Sequence, residues 1–124
     1  IKKNKPEHLK KLKKNYFFER RGFKKSKPYV LSKPIFTSEK NFKFRYLKEY
    51  ILSGYAIKKT SLSTKKRMSL EYLDTLLSNK KFQKKYKLNG GDLIILNNHV
   101  MAHGRSAFDL DKNCPRSLLR LWVK

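Results

Sequence analysis

The spacing of apolar residues changes along this chain of 124 residues, and the change limits the folds open to it. Between residues 64 and 78, leucines recur at helical spacing on one side, which predicts a helix with Ser63 as its N-cap. In NFKFRY at 41–46, apolar and basic residues alternate, which predicts a strand. Short strands with one helical insert at about 64–78 favour a mainly β fold, either a sandwich or half of a barrel.

Further strands are predicted on both sides of this helix. Two prolines restrict the segment 27–36 to extended geometry. DLIIL at 92–96 is apolar on both faces, as in a buried inner strand, and NGGD at 89–92 predicts the turn before it. RSLLRLWV at 116–123 predicts a final strand.

Two shorter segments are predicted to be helical. Residues 5–14 would form a short basic helix, with Pro6 in its first turn. LKEYILSGY at 47–55 is expected to form a short helix or an irregular turn. No internal repeat or domain boundary is visible, so residues 1–124 are predicted to belong to one domain.

The formal net charge of +23 suggests an anionic partner such as nucleic acid or a membrane surface. Lysine outnumbers arginine by 25 to 7, however, whereas proteins that read bases and phosphates favour arginine. Residues 1–87 hold 27 basic and 6 acidic side chains, and residues 88–124 hold 5 and 3. A solvated lysine surface, produced by an AT-rich genome, is therefore favoured over a nucleic-acid-binding module, which stays an alternative.

Cysteine content and hydropathy indicate the compartment. Cys114 is the only cysteine, so no internal disulfide can form and nothing marks the chain as secreted. The longest apolar runs are too short to span a membrane. We therefore expect a cytoplasmic protein without a membrane partner.

Two histidines, His99 and His103, lie four residues apart in NNHVMAHGRSAF at 97–108. On a helix they would share a face, as in the zinc-protease motif H-E-x-x-H, but the glutamate of that motif is absent here. On an extended segment, four residues span roughly 13 Å, and metal ligands lie within about 2.0–2.2 Å of the ion. At most one of the two could then be a ligand, and a histidine at a strand end is commonly structural.

Arg116 and Arg120 lie on the same face of the predicted final strand. A buried guanidinium is costly unless it meets an anion. The nearest acidic residues, Asp109 and Asp111, lie in a loop, whereas a small-molecule carboxylate would match the guanidinium fork in bidentate geometry. The two arginines thus indicate either an anion site or a barrel mouth where both side chains face water.

GGDLIILNNHVMAHGRSAF at 90–108, followed by a loop and RSLLRLWV at 116–123, resembles a known catalytic core. It is similar to the C-terminal core of the taurine dioxygenase and clavaminate synthase-like (TauD/TfdA-type) family of Fe(II)- and 2-oxoglutarate-dependent oxygenases. FFERRGF, KPYVLSKPIF, FKFRYLKEYILSGY and the helix at 64–78 resemble the segments that precede this core. The resemblance implies a double-stranded β-helix, a jelly-roll barrel, of which this chain would be the C-terminal portion.

The resemblance also implies an activity and roles for particular residues. Members decarboxylate 2-oxoglutarate oxidatively and usually hydroxylate a small molecule, here expected to be a carboxylate or an amino-acid-like compound. His103 matches an Fe(II) ligand of the family, and Arg116 matches the residue that pairs with the far carboxylate of 2-oxoglutarate. Arg120 matches a position that holds an acidic group of the substrate in several members. His99 matches a variable position, and Asn98 is a candidate for lining the substrate pocket.

One motif of the family is absent from this sequence. The other two iron ligands of the family form H-x-D or H-x-E, and none of the three histidines here has Asp or Glu two residues later. Residues 1–124 are therefore predicted to be a single partial domain that is inactive by itself. The alternatives are a non-catalytic remnant and a half that assembles with a separately encoded half.

Overall fold

The computed structural model describes residues 1, 5–20, 29–38, 40–104 and 117–121. The helix predicted at 64–78 is confirmed, and the basic helix expected at 5–14 forms over its central residues. The segment 47–55 adopts the helical alternative. The elements in chain order are α1 (Pro6–Leu12), β1 (Asn15–Glu19), β2 (Val30–Pro34), α2 (Lys48–Ile57), α3 (Thr64–Ser78) and a 3-10 helix (Lys80–Phe82).

β1 and β2 form an antiparallel two-stranded sheet in which Asn15 pairs with Pro34. Side chains alternate between the two faces along β1, so that Tyr16 and Phe18 are buried on the same face. The extended geometry predicted for 27–36 is confirmed for β2. The sheet thus provides one wall of the core.

α2 lies directly on β1, and Gly54 makes the close approach possible. A Cβ atom added at Gly54 would lie 2.6 Å from the carbonyl carbon of Phe17, closer than side chains pack. Ile51 and Tyr55 of the same helix are buried against the sheet. The Tyr55 ring contacts the Phe17 ring with a centroid separation of 5.1 Å. A residue without a side chain therefore sets the distance between helix and strand.

α1 is held against α3 by His8. The Ser69 hydroxyl donates to the Lys65 carbonyl over 2.8 Å, and its oxygen accepts a hydrogen bond from His8 Nδ1 over 3.0 Å. The His8 ring also stacks on Tyr72 at a centroid separation of 4.6 Å. These contacts give His8 a structural role between the two helices.

The hydrophobic core lies between the two-stranded sheet and the three helices. Its buried members come from β1, from α1, α2 and α3, and from the segments that join them. Partly buried aromatic rings at 36, 44 and 46 pack against its edge. The buried residues of the core are Leu12, Tyr16, Phe18, Ile35, Ile51, Tyr55, Leu62, Leu70 and Leu73.

After the 3-10 helix, residues 83–104 form turns and irregular segments. The turn predicted at 89–92 is confirmed, and Gly91 has a φ of 87°. The buried strand predicted at 92–96 is wrong, because Leu93 and Ile95 are 84% and 85% exposed. A strand forms only when a neighbour accepts and donates its backbone hydrogen bonds, and no described strand lies beside this segment.

Two other predicted strands are also absent from the described residues. The segment 41–46 forms only one isolated bridge, between Phe36 and Phe44. The described part of the predicted final strand, residues 117–121, is exposed and irregular. The described residues therefore contain two strands and three α-helices, and they do not confirm a mainly β fold. A single partial domain over 1–124 stays a prediction.

Candidate functional site

The segment that carries His99 and His103 begins with a turn organised by Asn97. The Asn97 carbonyl accepts hydrogen bonds from the backbone amides of Val100 and Met101, each over 3.1 Å. The Asn97 side chain accepts from the His99 amide over 3.0 Å. Of the two geometries considered for His99 and His103, the extended one is therefore not adopted at the start of this segment, because Asn97 satisfies three amides locally.

This turn is attached to the folded unit through Phe44. The Phe44 amide donates to the His99 carbonyl over 2.6 Å, and Phe44 itself bridges to Phe36. The Arg45 amide donates to the Ile35 carbonyl over 2.9 Å, which continues the contact into the core. The backbone segment that leads to His103 is therefore hydrogen-bonded, at His99, to a residue that packs against the edge of the core.

The predicted site residues are described to different extents. His103 is exposed two residues beyond Met101. Asn98 is partly buried, and its Oδ1 atom has no hydrogen-bond partner among the described residues. Arg120 is exposed within 117–121, and Arg116 lies outside the described residues.

An open apolar groove of about 340 Å³ lies beside this segment. One wall is a stack of aromatic rings, with the Phe36 ring 5.1 Å from Phe44 and 5.9 Å from Phe42 between centroids. α3 supplies Leu73 and Leu77 to the groove, and the 3-10 helix supplies Phe82. Every described lining residue is apolar. The last stretch of the wall is the run Val100, Met101 and Ala102.

Only part of this groove could be predicted from the sequence. Alternation in 41–46 predicted that Phe42, Phe44 and Tyr46 share a face, and the parallel stacking of Phe44 on Tyr46, 6.4 Å between centroids, agrees with that. The contributions from α3 and from residues 100–102 arise from tertiary packing, and no local pattern indicated them.

A polar network holds the end of the aromatic stack. The Tyr46 hydroxyl donates to Asp74 Oδ1, and Lys48 Nζ lies 2.6 Å from Asp74 Oδ2. Burial, together with the adjacent Asp74 carboxylate, raises the pKa of Tyr46 well above its ordinary value near 10. The network joins the segment 46–48 to α3 and so fixes one side of the groove relative to the other.

The comparison with protein families decides the identity of the chain. The family model described as taurine catabolism dioxygenase TauD, TfdA family matches residues 1–122. The chain belongs to the TauD/TfdA family. TauD/TfdA proteins are oxygenases that use Fe(II) and 2-oxoglutarate, and the TauD/TfdA fold is a jelly roll. No curated protein matches the chain.

The described residues do not supply a complete TauD/TfdA iron site. They contain no group of three or more His, Cys, Asp or Glu side chains that could hold a metal ion. His8 is occupied by its contacts with Ser69 and Tyr72, and His103 is the one histidine that the resemblance implies as a ligand. A second histidine and a carboxylate would have to join it.

Among the described residues, none of the helices combines the length and the apolar character needed to cross a bilayer.

Proposed function

We propose that the chain is part of an Fe(II)- and 2-oxoglutarate-dependent oxygenase that hydroxylates a small carboxylate or amino-acid-like molecule. Membership of the TauD/TfdA family over residues 1–122 is the observation that carries this proposal. His103 supplies one iron ligand. Arg116 binds 2-oxoglutarate, Arg120 binds the acidic group of the substrate, and Asn98 lines the substrate pocket.

The two arginines act through charge-assisted hydrogen bonds. A guanidinium presents two parallel N–H groups to a carboxylate, which fixes both the position and the orientation of the anion. Arg116 and Arg120 are four residues apart, so a strand would place them on one face with two separate anion sites. Such a strand, completed in the assembled protein, would orient cosubstrate and substrate independently of each other.

We further propose that the remaining iron ligands lie outside this sequence. No histidine here is followed two residues later by Asp or Glu, so the H-x-D/E motif has to come from elsewhere in the same polypeptide or from a separately encoded half. The exposed leucines and isoleucines at 93–95 and 118–121 are consistent with this, because they would be buried by additional strands.

The test is turnover by the assembled protein. The chain is produced together with the segment of its own reading frame, or the separate half, that carries H-x-D/E, and succinate formation from 2-oxoglutarate is measured with added Fe(II). We expect activity that His103→Ala abolishes. His99→Ala is the matched control and should retain activity, because His99 is not assigned to the metal.

Two results would refute the proposal. Equal activity of the His103→Ala and His99→Ala variants would remove His103 from the iron site. The absence of any H-x-D/E-bearing segment, together with the absence of turnover, would identify the chain as a non-catalytic remnant.

A second candidate function is binding of single-stranded nucleic acid. Lys80, Lys81, Lys84, Lys85 and Lys87 are all exposed in a segment without an acidic residue. The aromatic rings at 82 and 86 are exposed between them, the combination of charge and stacking surface that single strands bind. A salt titration of binding to single-stranded DNA tests this function, and a slope near zero would exclude it.

A further inference from the structure

The register of the two-stranded sheet shows which backbone groups point away from it. Glu19 pairs with Val30, and one step further along the Arg20 amide donates to the Tyr29 carbonyl over 2.9 Å. In an antiparallel pair of strands, hydrogen-bonded and non-hydrogen-bonded positions alternate. The N–H and C=O groups of Glu19 and Val30, and those of every second pair from there along the sheet, therefore point outward from the two strands.

The outer edge of β1 is covered by two helices of the chain itself. Gly54 of α2 approaches the backbone of Phe17, whose carbonyl group belongs to this edge. Lys66 of α3 donates to the Asn15 carbonyl on the same edge over 2.6 Å, and it donates to the Tyr55 hydroxyl over 3.1 Å. These contacts block β1 against pairing with a further strand.

The outer edge of β2 has no such cover within the described part of the chain. It is formed by Val30, Ser32 and Pro34. Among the described residues, no hydrogen bond outside the sheet reaches the backbone of Val30 or Ser32, and Ser32 is exposed. Ser32 therefore presents one donor and one acceptor to an incoming strand, and the edge ends at Pro34, which has no N–H group.

We propose that this outer edge of β2 is a docking surface for the H-x-D/E segment, by which we mean the part of the oxygenase that carries the other two iron ligands. The inference rests on the proposed function, because it names the surface on which that part assembles. An exposed strand edge binds an extended segment through main-chain hydrogen bonds, and the added segment becomes a further strand of the sheet.

Charge indicates the chemistry of the added strand. Residues 29–38 contain Lys33 and no acidic side chain, and the whole chain has a net charge of +23. A second copy of the chain would bring the same positive charge to this edge, which opposes association, whereas an acidic strand is attracted to it. We therefore assign the edge to an acidic strand of the H-x-D/E segment, with Asp or Glu placed opposite Lys33.

Amide hydrogen exchange of the full chain, followed by NMR, tests the edge directly. Leu31 pairs with Phe18 at a hydrogen-bonded position, so its amide should exchange slowly in the chain alone, whereas the outward amide of Ser32 should exchange rapidly. The H-x-D/E segment, produced separately, is then added without iron or 2-oxoglutarate. We expect exchange at Ser32 to slow by about tenfold or more.

A matched pair of variants separates the backbone of Ser32 from its side chain. Ser32→Pro removes the outward N–H and keeps the hydrogen bonds to β1, so it should weaken binding of the H-x-D/E segment about fivefold or more. Ser32→Ala keeps the N–H and should bind as the unchanged chain does. Slow exchange at Leu31 in the proline variant checks that β1 and β2 still pair.

Four results would overturn the docking edge. Slow exchange at Ser32 in the chain alone would show that another part of the chain already covers the edge. Slowing that depends on the concentration of the chain alone would assign the edge to a second copy. Equal binding by the Ser32→Pro and Ser32→Ala variants would show that the outward N–H takes no part.

The fourth result separates the docking edge from the oxygenase proposal. If exchange at Ser32 is unchanged in an assembled protein that forms succinate, the docking edge is wrong and the oxygenase proposal stands. If exchange at Ser32 slows in an assembled protein that forms no succinate, the docking edge stands and the oxygenase proposal fails.

Discussion

Gly54→Ala is expected to destabilise the protein, although alanine is the better helix former. Gly54 lies in α2, where this helix meets the backbone of β1. An added methyl group would lie 2.6 Å from the carbonyl carbon of Phe17 and 3.0 Å from the amide nitrogen of Phe18. Both neighbours are main-chain atoms of a paired strand, so they cannot move aside as a flexible side chain would.

The magnitude follows from two opposing terms. Alanine in place of glycine within a helix gains about 1 kcal/mol from intrinsic propensity. Overpacking of this kind costs roughly 1–3 kcal/mol, and contact with backbone places the cost at the upper end of that range. We expect the free energy of unfolding to fall by about 1–2 kcal/mol, measured by urea denaturation followed by far-UV circular dichroism.

Gly90→Ala is the matched control for this variant. Nothing lies within 4 Å of a Cβ atom added at Gly90, so its stability should stay within about 0.5 kcal/mol of the unchanged protein. A Gly54→Ala variant that is as stable as the Gly90→Ala variant would refute the close packing of α2 on β1.

Three further predictions concern Tyr16 in the core and Tyr46 at its edge. Tyr46→Phe removes the hydrogen bond to Asp74 and leaves Lys48 as the partner of that carboxylate, and it should lower the free energy of unfolding by about 1–2 kcal/mol in urea denaturation. Tyr16→Phe should raise the free energy of unfolding by about 1 kcal/mol in the same assay, because the buried Tyr16 hydroxyl has no hydrogen-bond partner among the described residues. A lower free energy of unfolding in this variant would show that the hydroxyl is paired. Burial raises the pKa of both tyrosines above the ordinary value near 10, so the folded state keeps them protonated where the unfolded state ionises. Stability should therefore fall as pH rises above about 10, and a Tyr16→Phe, Tyr46→Phe double variant should show a shallower fall.

The helices could be predicted because their signals are local. The leucines at 70, 73, 76 and 77 recur at helical spacing, and α3 forms over 64–78 as that spacing indicates. Proline restricts the backbone whatever lies nearby, so the extended segment that contains β2 was equally predictable. Gly91 likewise marked its turn through a φ that other residues rarely adopt.

The strands could not be predicted in the same way, because a strand depends on its neighbour. DLIIL at 92–96 has the composition of an inner strand, but Leu93, Ile94 and Ile95 are exposed where no described strand pairs with this segment. The groove could not be predicted from the sequence for a related reason. It joins the aromatic face of 42–46, which alternation does indicate, to side chains of α3 and to residues 100–102, which lie far away in the sequence.

The site residues also show the difference between local signals and signals that depend on a distant neighbour. The turn at Asn97 replaced the extended geometry expected around His99, because an asparagine side chain can satisfy nearby amides without a partner strand. The roles of His103, Arg116 and Arg120 came from the family resemblance, and they stay predictions until turnover is measured.

The most direct test of the oxygenase account is the dependence of succinate formation on 2-oxoglutarate concentration. It is measured on the assembled protein for the Arg116→Gln variant and for Arg67→Gln, a control that removes the same charge from the exposed surface of α3. Removing one partner of a buried charge pair costs roughly 2–5 kcal/mol, so Arg116→Gln should raise the KM for 2-oxoglutarate by about 100-fold, while Arg67→Gln leaves it unchanged. The same KM in both variants would contradict the assignment of Arg116 and, with it, the account of how this chain serves an oxygenase.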